Sequence, residues 1–546
     1  MLDFNELDLR KFIQSHQLTL SPDIDGLRDQ QIEALEWATT RTEPYLFVNA
    51  PTGSGKTLLA GVYGMTRNKP WTYGVHTIRL QEQVAGTFTN LPVLTGRRNH
   101  PCLVGEQIYG VSGEEYNADR GICAITRGMC NHEPRSDGGG YEHETIRGLC
   151  DYYAQVRDAM AASSRVTNYA MFLSLPPLQL ATSTLLADEG HNIEEAVASN
   201  ASVSLFIRTL ARFRITVPNL GVDVAAWGRW AEATRHLLPA TRPGERPDFG
   251  LKSARDGLTI IAGLTADDAG AWLVEQSATN VVFTPIWGRN FVMKNLFGHT
   301  EAPASSDVYE ATNARQGGVQ KVLLLSATLM GAEYIADTLG FPDGSWAYLD
   351  LPSTFPIANR PINYSPVVSL SAKSTEEDYD RMQVAIDHLI EYYICNGSTS
   401  GIIHAVSNKY RDRILTSSRF RGIMRDNPAQ HEEAVRRGEG SVLVAANLAE
   451  GWDGKDDLCR FVIMPKVPFP NLGDKRTKIR MQEDARSFDH KALVAVVQGA
   501  GRGVRHKGDY ADTWILDGNW QGLYARRKDW LPESFTSAYH HKVQLV

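Results

Sequence analysis

The sequence predicts an α/β protein with two parallel β-sheets, and three observations support this fold class. From about residue 28, short apolar runs alternate with amphipathic stretches, as in a parallel sheet covered by helices. Several of these runs end in polar or glycine-rich segments. The length of 546 residues allows three or four domains at about 150 residues each. We therefore expect two α/β domains that divide near residues 335–360.

Strands are expected where the apolar runs lie. These are residues 45–50, 183–188 and 319–326 in the first domain, and 401–407, 441–446, 461–464 and 513–516 in the second. Two segments interrupt the alternation. Residues 96–164 contain four cysteines, and residues 200–305 contain four tryptophans at helix-like spacing with little strand character. Both segments are expected to be insertions into the first domain.

The composition is that of a globular protein. Hydrophobic residues make up 42% and charged residues 22% of the chain, close to globular averages. The apolar runs fall far short of the roughly 20 residues that cross a bilayer, and the acidic start lacks a signal-peptide pattern. We therefore expect a cytoplasmic monomer without a membrane partner, in a prokaryotic or viral setting. Because the net charge is −7, a nucleic-acid partner would have to bind in a local groove.

A phosphate-binding loop follows the first expected strand. Residues 50–57 read Ala-Pro-Thr-Gly-Ser-Gly-Lys-Thr and precede a helical stretch. Gly53 and Gly55 let backbone N–H groups close around phosphate oxygens, and the helix adds its positive N-terminal end. Lys56 would reach the β- and γ-phosphates of ATP, and the Thr57 hydroxyl would hold Mg²⁺. Strand, loop and helix together predict a nucleotide site.

Two carboxylates, Asp188 and Glu189, follow another expected strand. In a site that hydrolyses nucleotides, one carboxylate at a strand end holds Mg²⁺ and its neighbour polarises the attacking water. Taken alone, this pair would be equally consistent with an acidic loop. Together with the phosphate loop, it predicts Asp188 as a Mg²⁺ ligand and Glu189 as the general base.

The order of further elements resembles the superfamily 2 helicases. Residues 188–191 resemble the DEAH box, with Gly190 where the family usually has alanine. The resemblance implies an upstream glutamine that contacts adenine, a motif Ia on the nucleic-acid backbone, a motif III that couples hydrolysis to movement, and a nucleotide-binding motif V. The matching positions are Gln31, residues 77–83, residues 326–328 and residues 450–453 with Asp453.

Residues 498–505 match motif VI of the same family. Arginine carries a permanent charge in a planar fork that fits phosphate oxygens, and an arginine supplied across a cleft stabilises the transferred phosphoryl group. Arg502 and Arg505 are three apart, so on a helix both would face the cleft. The resemblance implies Arg505 as the arginine finger, with Arg502 and Gln498 on the γ-phosphate.

The cysteines at 102, 123, 130 and 150 lack the short Cys-x2–4-Cys pair usual in structural zinc sites. Four thiolates can hold a [4Fe–4S] cluster without such a pair. Spacing alone leaves zinc, iron–sulfur and unrelated buried cysteines open. Cys395 and Cys459 are interpreted as buried small apolar residues.

The surroundings of the cysteines resemble the XPD/DinG-type iron–sulfur helicases. Residues 96–102 resemble the entry to their cluster domain, with His100 in place of tyrosine, and residues 167–170 resemble its return. The resemblance implies a [4Fe–4S] cluster on Cys102, Cys123, Cys130 and Cys150, with Arg97 beside it. It also implies two RecA-like motor domains, at residues 1–95, 165–199 and 306–335 and at 336–546. The iron–sulfur domain would be 96–164 and a helical arch 200–305.

The expected function is therefore that of an ATP-dependent DNA helicase that moves 5′ to 3′ on single-stranded DNA and opens forked or tailed duplexes with the iron–sulfur domain as the wedge. A protein loading partner is possible for such a motor. Two alternatives stay open at this point: a motor on RNA or RNA–DNA hybrids, and an ATP-gated clamp that never unwinds. Several aromatic residues could stack bases, but tryptophans at helical spacing are more often core. The candidates are Trp227, Trp230, Trp272, Trp287, Tyr109, Tyr152 and Tyr153.

Overall fold

The structure is a computed structural model that describes residues 2–104, 117–124, 130–134, 148–239, 248–292, 296, 318–398, 400–446 and 454–545. Strands β1 to β17 are, in chain order, Tyr45–Asn49, Trp71–Val75, Val93–Leu94, Ser164–Asn168, Thr184–Asp188, Val203–Phe206, Trp272–Gln276, Asn280–Pro285, Lys321–Ser326, Trp346–Asp350, Ile362–Val368, Ser400–His404, Met424–Arg425, Ser441–Ala445, Phe461–Met464, Asp512–Asp517 and Tyr539–His540. Helices α1 to α20 are Leu9–Ser15, Asp29–Thr40, Lys56–Thr66, Ile78–Thr87, Asp151–Ala161, Tyr169–Ser174, Pro176–Leu180, Ile193–Ala201, Ile207–Arg212, Val224–Arg235, Phe249–Ala262, Arg289–Phe291, Ala332–Leu339, Glu376–Cys395, Asn408–Ser417, Pro428–Arg436, Lys475–Glu483, Arg486–Ala500, Asn519–Arg527 and Glu533–Thr536.

The first motor domain is built on a seven-stranded parallel sheet with the order β10-β1-β9-β5-β2-β4-β3. Its central strands β1, β5 and β9 are apolar on both faces and buried, as strands covered by helices on both sides must be. Two hydrophobic cores pack against the sheet. The carboxyl ends of β1, β9 and β5 lie side by side, where parallel sheets place their ligand sites.

The second motor domain has its own seven-stranded parallel sheet, with the order β13-β14-β12-β15-β16-β11-β17. Two further cores cover it. The long helix α14 begins with a capping box in which Thr375 and Asp378 satisfy each other's backbone N–H groups. Helix α18 leads from this domain to the cleft between the two sheets. The prediction of two parallel-sheet α/β domains is confirmed.

All seven expected strands are present, but the first sheet extends past residue 335. Strand β10 pairs in parallel with β1, from Tyr45 with Trp346 to Asn49 with Asp350. The boundary predicted at residues 335 and 336 is therefore wrong, and the domains divide between β10 and β11. Strands β2, β4, β10 and β11 escaped the pattern because polar residues, a glycine or a proline interrupt their apolar character.

The insertion at residues 200–305 is a mixed α/β unit in its described part. Helices α10 and α11 pack on a three-stranded antiparallel sheet with the order β6-β8-β7 around one core. The expectation of a helical segment with little strand character is therefore wrong. Strand β8 has the sequence Asn-Val-Val-Phe-Thr-Pro and alternates buried with half-buried residues, which is the period of a one-sided strand. The expectation of helices relied on the spacing of the tryptophans and did not take this alternation into account.

Candidate active site and cysteine cluster

The phosphate-binding loop lies between β1 and α3, at the carboxyl edge of the first sheet. Gly53 and Gly55 both have φ of +79°, a left-handed conformation that favours glycine. Gly55 immediately precedes α3, so the first N–H groups of this 11-residue helix face the loop. A side-chain carbon at Gly53 would lie 3.0 Å from the carbonyl oxygen of Arg505. The loop therefore needs its glycines and meets the second motor domain directly.

Gln31 supports this loop. The residue is 2% exposed, and its Nε2 donates to the carbonyl oxygen of Gly55 at 2.9 Å. Its Oε1 accepts a hydrogen bond from the Arg28 backbone N–H at 2.8 Å, which satisfies the start of α2. With both polar ends bonded, Gln31 holds the loop and does not line the nucleotide cavity. Its expected contact with adenine stays a prediction.

Asp188 and Glu189 lie at the end of β5 in different electrostatic surroundings. Asp188 accepts a hydrogen bond from the Tyr73 hydroxyl at 3.1 Å. Burial and the neighbouring charge of Glu189 raise the pKa of Asp188 to about 6. For Glu189, burial is outweighed by the positive charge of Lys56 and by hydrogen bonding, so the pKa of Glu189 lies below its ordinary value. Glu189 is thus held in the charged form that a general base requires.

A chain of hydrogen bonds connects Glu189 to the second motor domain. The Ser326 hydroxyl donates to Glu189 Oε2 at 2.8 Å, and His191 Nδ1 lies 2.9 Å from the same hydroxyl oxygen. On the other side of the ring, the Gln498 amide donates to His191 Nε2 at 3.2 Å. Because Ser326 donates to the carboxylate and Gln498 donates to Nε2, the network assigns the histidine proton to Nδ1. The chain runs from α18 to the candidate general base.

A cavity of about 370 Å³ between the motor domains brings most of the expected residues together. Asp453 lies outside the described residues, and Gln31 lies behind the loop. The expected nucleotide-site residues that line the cavity are Gly53, Gly55, Lys56, Thr57, Asp188, Glu189, Gln498, Arg502 and Arg505. The first six come from one motor domain and the last three from the other, so the cavity changes shape whenever the domains move.

Three residues of this site were missed from the sequence. Leu80 and Gln83 of α4 line the cavity, although the resemblance assigned their segment to the nucleic-acid backbone. Tyr73 contacts Asp188 from the neighbouring strand β2. An amphipathic helix does not reveal which neighbour its buried face meets, and a tyrosine inside an unrecognised strand carries no signal.

Arg502 and Arg505 follow α18 and are not part of it. The helix ends at Ala500, with Gly501 as its cap. The expectation that one helix face would turn both arginines toward the cleft is therefore wrong, because Gly501 and Gly503 end the helix. Both side chains still line the cavity, carried there by a loop.

The four clustered cysteines converge although they are far apart in the chain. Cys102, Cys123 and Cys150 are buried, and Cys130 is half-buried. A side-chain carbon at Gly121 would lie 3.2 Å from the Cys102 sulfur and 3.5 Å from that of Cys123. Cys130 hydrogen-bonds with Cys123, and Cys150 is close enough to Cys102 and Cys123 for their charges to act on it.

The spacing of these sulfurs bears on which group fits between them. Four thiolates on one zinc ion, at Zn–S distances of about 2.3 Å, would lie within about 4 Å of one another. The described cysteines include no three whose sulfurs all lie within 4.8 Å of one another. Thiolates of a [4Fe–4S] cluster bind separate iron atoms and stand farther apart. Cys123 and Cys130 are in hydrogen-bond contact and so lie closer together than that, and the spacing of the sulfurs selects neither group.

Arg97 lies directly against this cysteine cluster. Its Nη1 donates to Cys123 Sγ at 3.0 Å, and its Nη2 donates to the Tyr153 hydroxyl at 3.0 Å. The guanidinium also lies 4.3 Å from the ring centroid of Tyr152. The hydrogen bond with Cys130 and the charge of Arg97 lower the pKa of Cys123 to about 6. Thiolate formation is thus favoured at Cys123.

His100 stands where the resembled family has tyrosine. Its hydrogen bonds hold the start of the cysteine-bearing segment in place. Its Nε2 lies 2.8 Å from Thr95 Oγ1 and 2.6 Å from Gln155 Nε2. The Gln155 amide also donates to the Thr95 carbonyl oxygen at 2.8 Å. Because Gln155 belongs to α5, these bonds hold the start of the cysteine segment against the helix that follows its last cysteine.

An ion-pair network, here called the clasp, joins the two motor domains and the insertion. It consists of Glu194, Glu195, Trp287, Arg476 and Arg480. Arg476 pairs with Glu195 at 2.6 Å, and the side chains of the Arg480–Glu194 pair are only 5% and 12% exposed. The Arg480 guanidinium lies 4.5 Å from the Trp287 ring centroid. The clasp therefore connects α8, which follows the DEGH box, with α17 and the end of β8.

The aromatic residues considered as base-stacking platforms are mostly core. Trp227, Trp272 and Trp287 are buried. Trp230 packs edge to face on Trp227 with ring centroids 5.5 Å apart. Tyr109 lies outside the described residues. The interpretation of the tryptophans as core residues is confirmed for the three buried ones.

The comparison with known protein families gives a match in the second motor domain. A family model described as a helicase C-terminal domain matches residues 378–537. That stretch begins in α14, includes α17 and α18, and ends just after α20.

The chain is also similar to curated ATP-dependent DNA helicases. It is 29% identical to CHL1 of Saccharomyces cerevisiae over 160 residues, which are 24% of this chain and 19% of that protein. It is 32% identical to DDX11 of Danio rerio over 111 residues, which are 18% of this chain and 12% of that protein. The chain therefore spans a fifth or less of the length of these relatives.

These relatives are eukaryotic, which does not fit the expected prokaryotic or viral setting. Within the described ranges, no helix is long and apolar enough to cross a membrane.

Solved structures share the fold over nearly the whole chain. One titled XPD_Helicase has a TM-score of 0.57 at 16% identity and covers 95% of this chain and 100% of its own. The S. tokodaii protein Xpd4 has a TM-score of 0.52 at 13% identity and covers 94% of this chain and 100% of its own. The order of the motifs, the matched C-terminal domain and this common fold agree with one another. Residues 378–537 are thus similar to a helicase C-terminal domain, and the chain has the fold of the XPD structures.

Proposed function

We propose that this protein is an ATP-dependent DNA helicase that moves 5′ to 3′ on single-stranded DNA. The observation that carries the proposal is the hydrogen-bond chain from Gln498 through His191 and Ser326 to Glu189. It crosses from one motor domain to the other beside the nucleotide cavity. A change in the distance between the domains would break or form the Gln498 contact, which ties domain movement to the group that activates water.

The first motor domain would bind the nucleotide and its metal ion. Lys56 would contact the β- and γ-phosphates, and the N-terminus of α3 would hold the phosphates through backbone N–H groups. Thr57 and Asp188 would hold Mg²⁺, whose charge would offset the burial that now raises the pKa of Asp188. Asp453, by resemblance, would complete the nucleotide contacts.

Both motor domains would contribute to hydrolysis. Glu189 would accept a proton from the attacking water, since its surroundings already keep it charged. Arg505 and Arg502 would stabilise the negative charge on the transferred phosphoryl group, and Gln498 would contact the γ-phosphate. Because these three residues belong to the second motor domain, hydrolysis would require a closed cleft.

Cys102, Cys123, Cys130 and Cys150 would hold a [4Fe–4S] cluster. Their burial and their convergence support this assignment. When bound, the cluster would cross-link chain segments that are otherwise far apart and would provide a one-electron redox centre. Arg97 would contribute a hydrogen bond to the Cys123 thiolate.

The nature of the substrate rests on the relatives. CHL1 and DDX11 are named ATP-dependent DNA helicases, which supports DNA as the strand that is tracked. The polarity rests on the resemblance to the XPD/DinG group. The single strand would enter a local groove, since the chain as a whole carries a charge of −7.

A strand-displacement assay tests this function. Duplex DNA with a 5′ tail, a 3′ tail or blunt ends is incubated with the protein, ATP and Mg²⁺, and the released strand is measured. We expect release from the 5′-tailed duplex and little from the others. RNA and RNA–DNA duplexes with the same tails are tested in parallel.

Three other results would overturn the proposal. Preferential release from RNA or hybrid duplexes would assign a different substrate, and release from the 3′-tailed duplex would reverse the polarity. ATP-dependent binding without any strand release would indicate a clamp. Glu189→Gln serves as the matched inactive control, because it keeps the shape of the side chain and removes the base.

A further inference from the structure

A buried aspartate, Asp509, lies four residues after the proposed arginine finger. Its side chain is fully buried, and Oδ2 accepts the backbone N–H of Arg505 at 3.0 Å and that of Asp456 at 3.3 Å. Its Oδ1 accepts the backbone N–H of Tyr510 at 3.0 Å and Nη1 of Arg460 at 2.9 Å. One carboxylate therefore accepts hydrogen bonds from three backbone N–H groups and one guanidinium.

A metal ion is not needed to explain this cluster. Asp456, His506 and Asp509 have ligand atoms within 4.8 Å of one another. Each oxygen of Asp509 already accepts two hydrogen bonds, however, and His506 Nε2 already lies 2.7 Å from Asp456 Oδ1. A cation would have to displace Arg460 and several N–H groups. The hydrogen bonds of Asp509 therefore account for this cluster, and they hold the surrounding backbone in place.

The loop that carries Arg505 needs such hydrogen bonds to hold a single conformation. It runs from the end of α18 at Ala500 to the start of β16 at Asp512, and it contains glycines at 501, 503 and 508. Glycines leave the backbone many conformations, so the loop must be fixed by contacts. The Arg505 carbonyl oxygen faces Gly53 of the phosphate-binding loop. A shift of this backbone would therefore move the guanidinium relative to the phosphates.

We propose that Asp509 is a positioning residue for ATP hydrolysis, which acts by holding the backbone of Arg505 at the nucleotide cavity. Arg460, which immediately precedes β15, pairs with the buried carboxylate at 2.9 Å. The Asp456 contact joins the segment before β15 to the same point. This inference rests on the proposed hydrolysis of ATP and on Arg505 as the arginine finger.

A double-mutant cycle on kcat and KM for ATP hydrolysis tests the inference. Asp509→Ala should lower kcat by about tenfold to 10²-fold, as a misplacement near 1 Å does, with KM for ATP within about twofold. Arg505→Ala should lower kcat by about 10³-fold or more. Because Asp509 acts through Arg505, adding Asp509→Ala to Arg505→Ala should lower kcat no further.

Two additional variants keep the test decisive. Asp509→Asn can still accept the Arg505 N–H with its amide oxygen, so its kcat should lie between those of the wild type and Asp509→Ala. Asp509→Asn replaces Asp509→Ala in the test if the alanine variant does not fold. Asp457→Asn is the matched control, because Asp457 pairs with the other side of Arg460 at 2.8 Å and has no bond to the Arg505 loop. It should leave kcat unchanged.

The outcomes separate the two claims. A wild-type protein that does not hydrolyse ATP contradicts the proposed function. A wild-type protein that hydrolyses ATP, with kcat unchanged in Asp509→Ala and Asp509→Asn, contradicts the positioning role. The same role is contradicted if the double variant loses the full product of both single effects, since Asp509 would then act independently of Arg505.

Discussion

The nucleotide cleft and the cysteine-bearing segment are built in opposite ways. The cleft is formed by two seven-stranded sheets whose strands and adjoining loops fix every side chain that lines it. The described parts of residues 96–150 contain only three-residue helical turns and one isolated bridge. Their buried residues Ala118, Cys123 and Cys150 join the core of the first motor domain.

The nucleotide cleft and the cysteine-bearing segment therefore depend on different interactions. Backbone hydrogen bonds and apolar cores hold the cleft together whether or not a nucleotide is bound. The described parts of the cysteine segment have no separate core and pack on that of the first motor domain, so ligation of the four cysteines would add the cross-links that these parts otherwise lack. We therefore expect the two regions to be separable: one can be disabled while the other keeps its structure and chemistry.

Lys56→Ala should have the largest effect, and only on the cleft. Loss of the charge that contacts the phosphates should lower kcat for DNA-stimulated ATP hydrolysis by about 10³-fold or more. The visible absorption of the protein should not change. Phosphate release and the absorption spectrum are measured on the same sample, and a loss of absorption together with hydrolysis would show that the regions are not separable.

Cys123→Ser should disable the cysteine segment and spare the cleft. We expect loss of the visible absorption and of strand displacement, with ATP hydrolysis retained, because Cys123 has no contact with the nucleotide cavity. Cys395→Ser is the control, since Cys395 lies outside the cluster and, contrary to the expectation that it is buried, is exposed near the end of α14. A colourless wild type with stoichiometric zinc would refute the iron–sulfur assignment.

Arg97→Gln should weaken the cluster without removing a ligand. Loss of the hydrogen bond to Cys123 Sγ should lower retention of the metal group by about 10- to 100-fold, as loss of an outer-shell partner does. Retention is measured as the half-life of the visible absorption in air. Arg98→Gln, at an exposed neighbouring position, should match the wild type. Equal half-lives for both variants would remove Arg97 from the cluster's support.

Arg480→Ala tests the clasp, which belongs to neither region. Removing Arg480 leaves the buried Glu194 with only the more distant Arg476, 3.9 Å away, so the free energy of unfolding should fall by up to about 3–5 kcal/mol. Lys475→Ala breaks the exposed pair with Glu275 and should cost less than about 1 kcal/mol. Urea unfolding measures both. Equal costs would mean that burial of the Arg480 pair does not contribute.

The sequence predicted the cleft well because its residues lie in short contiguous motifs at the ends of apolar strands. Lys56 and Glu189 belong to such motifs, Arg505 belongs to a contiguous motif after a helix, and the parallel sheets bring the three together. Gln31 shows the limit of this reasoning: the motif identified the residue, but its hydrogen bonds to the loop depend on the packing of α2.

The interactions between distant segments could not be predicted in this way. The clasp joins Glu194 and Arg480, which lie 286 residues apart and in no shared motif. Asp509 and Arg460 are likewise ordinary charged residues in the sequence. Asp509 and Arg460 become partners because the neighbouring strands β15 and β16 of the second sheet start side by side. The strands of the insertion were missed because the tryptophan spacing was interpreted alone, without the alternation in β8.

The most direct test of the account is the number of DNA strands displaced per ATP hydrolysed, measured for the wild type and Cys123→Ser on a 5′-tailed duplex. If the cleft is the motor and the cysteine segment is required to separate strands, the variant should hydrolyse ATP at a rate within a few-fold of the wild type and displace almost no strand. An unchanged ratio in the variant, whatever its rate, would contradict that division of roles.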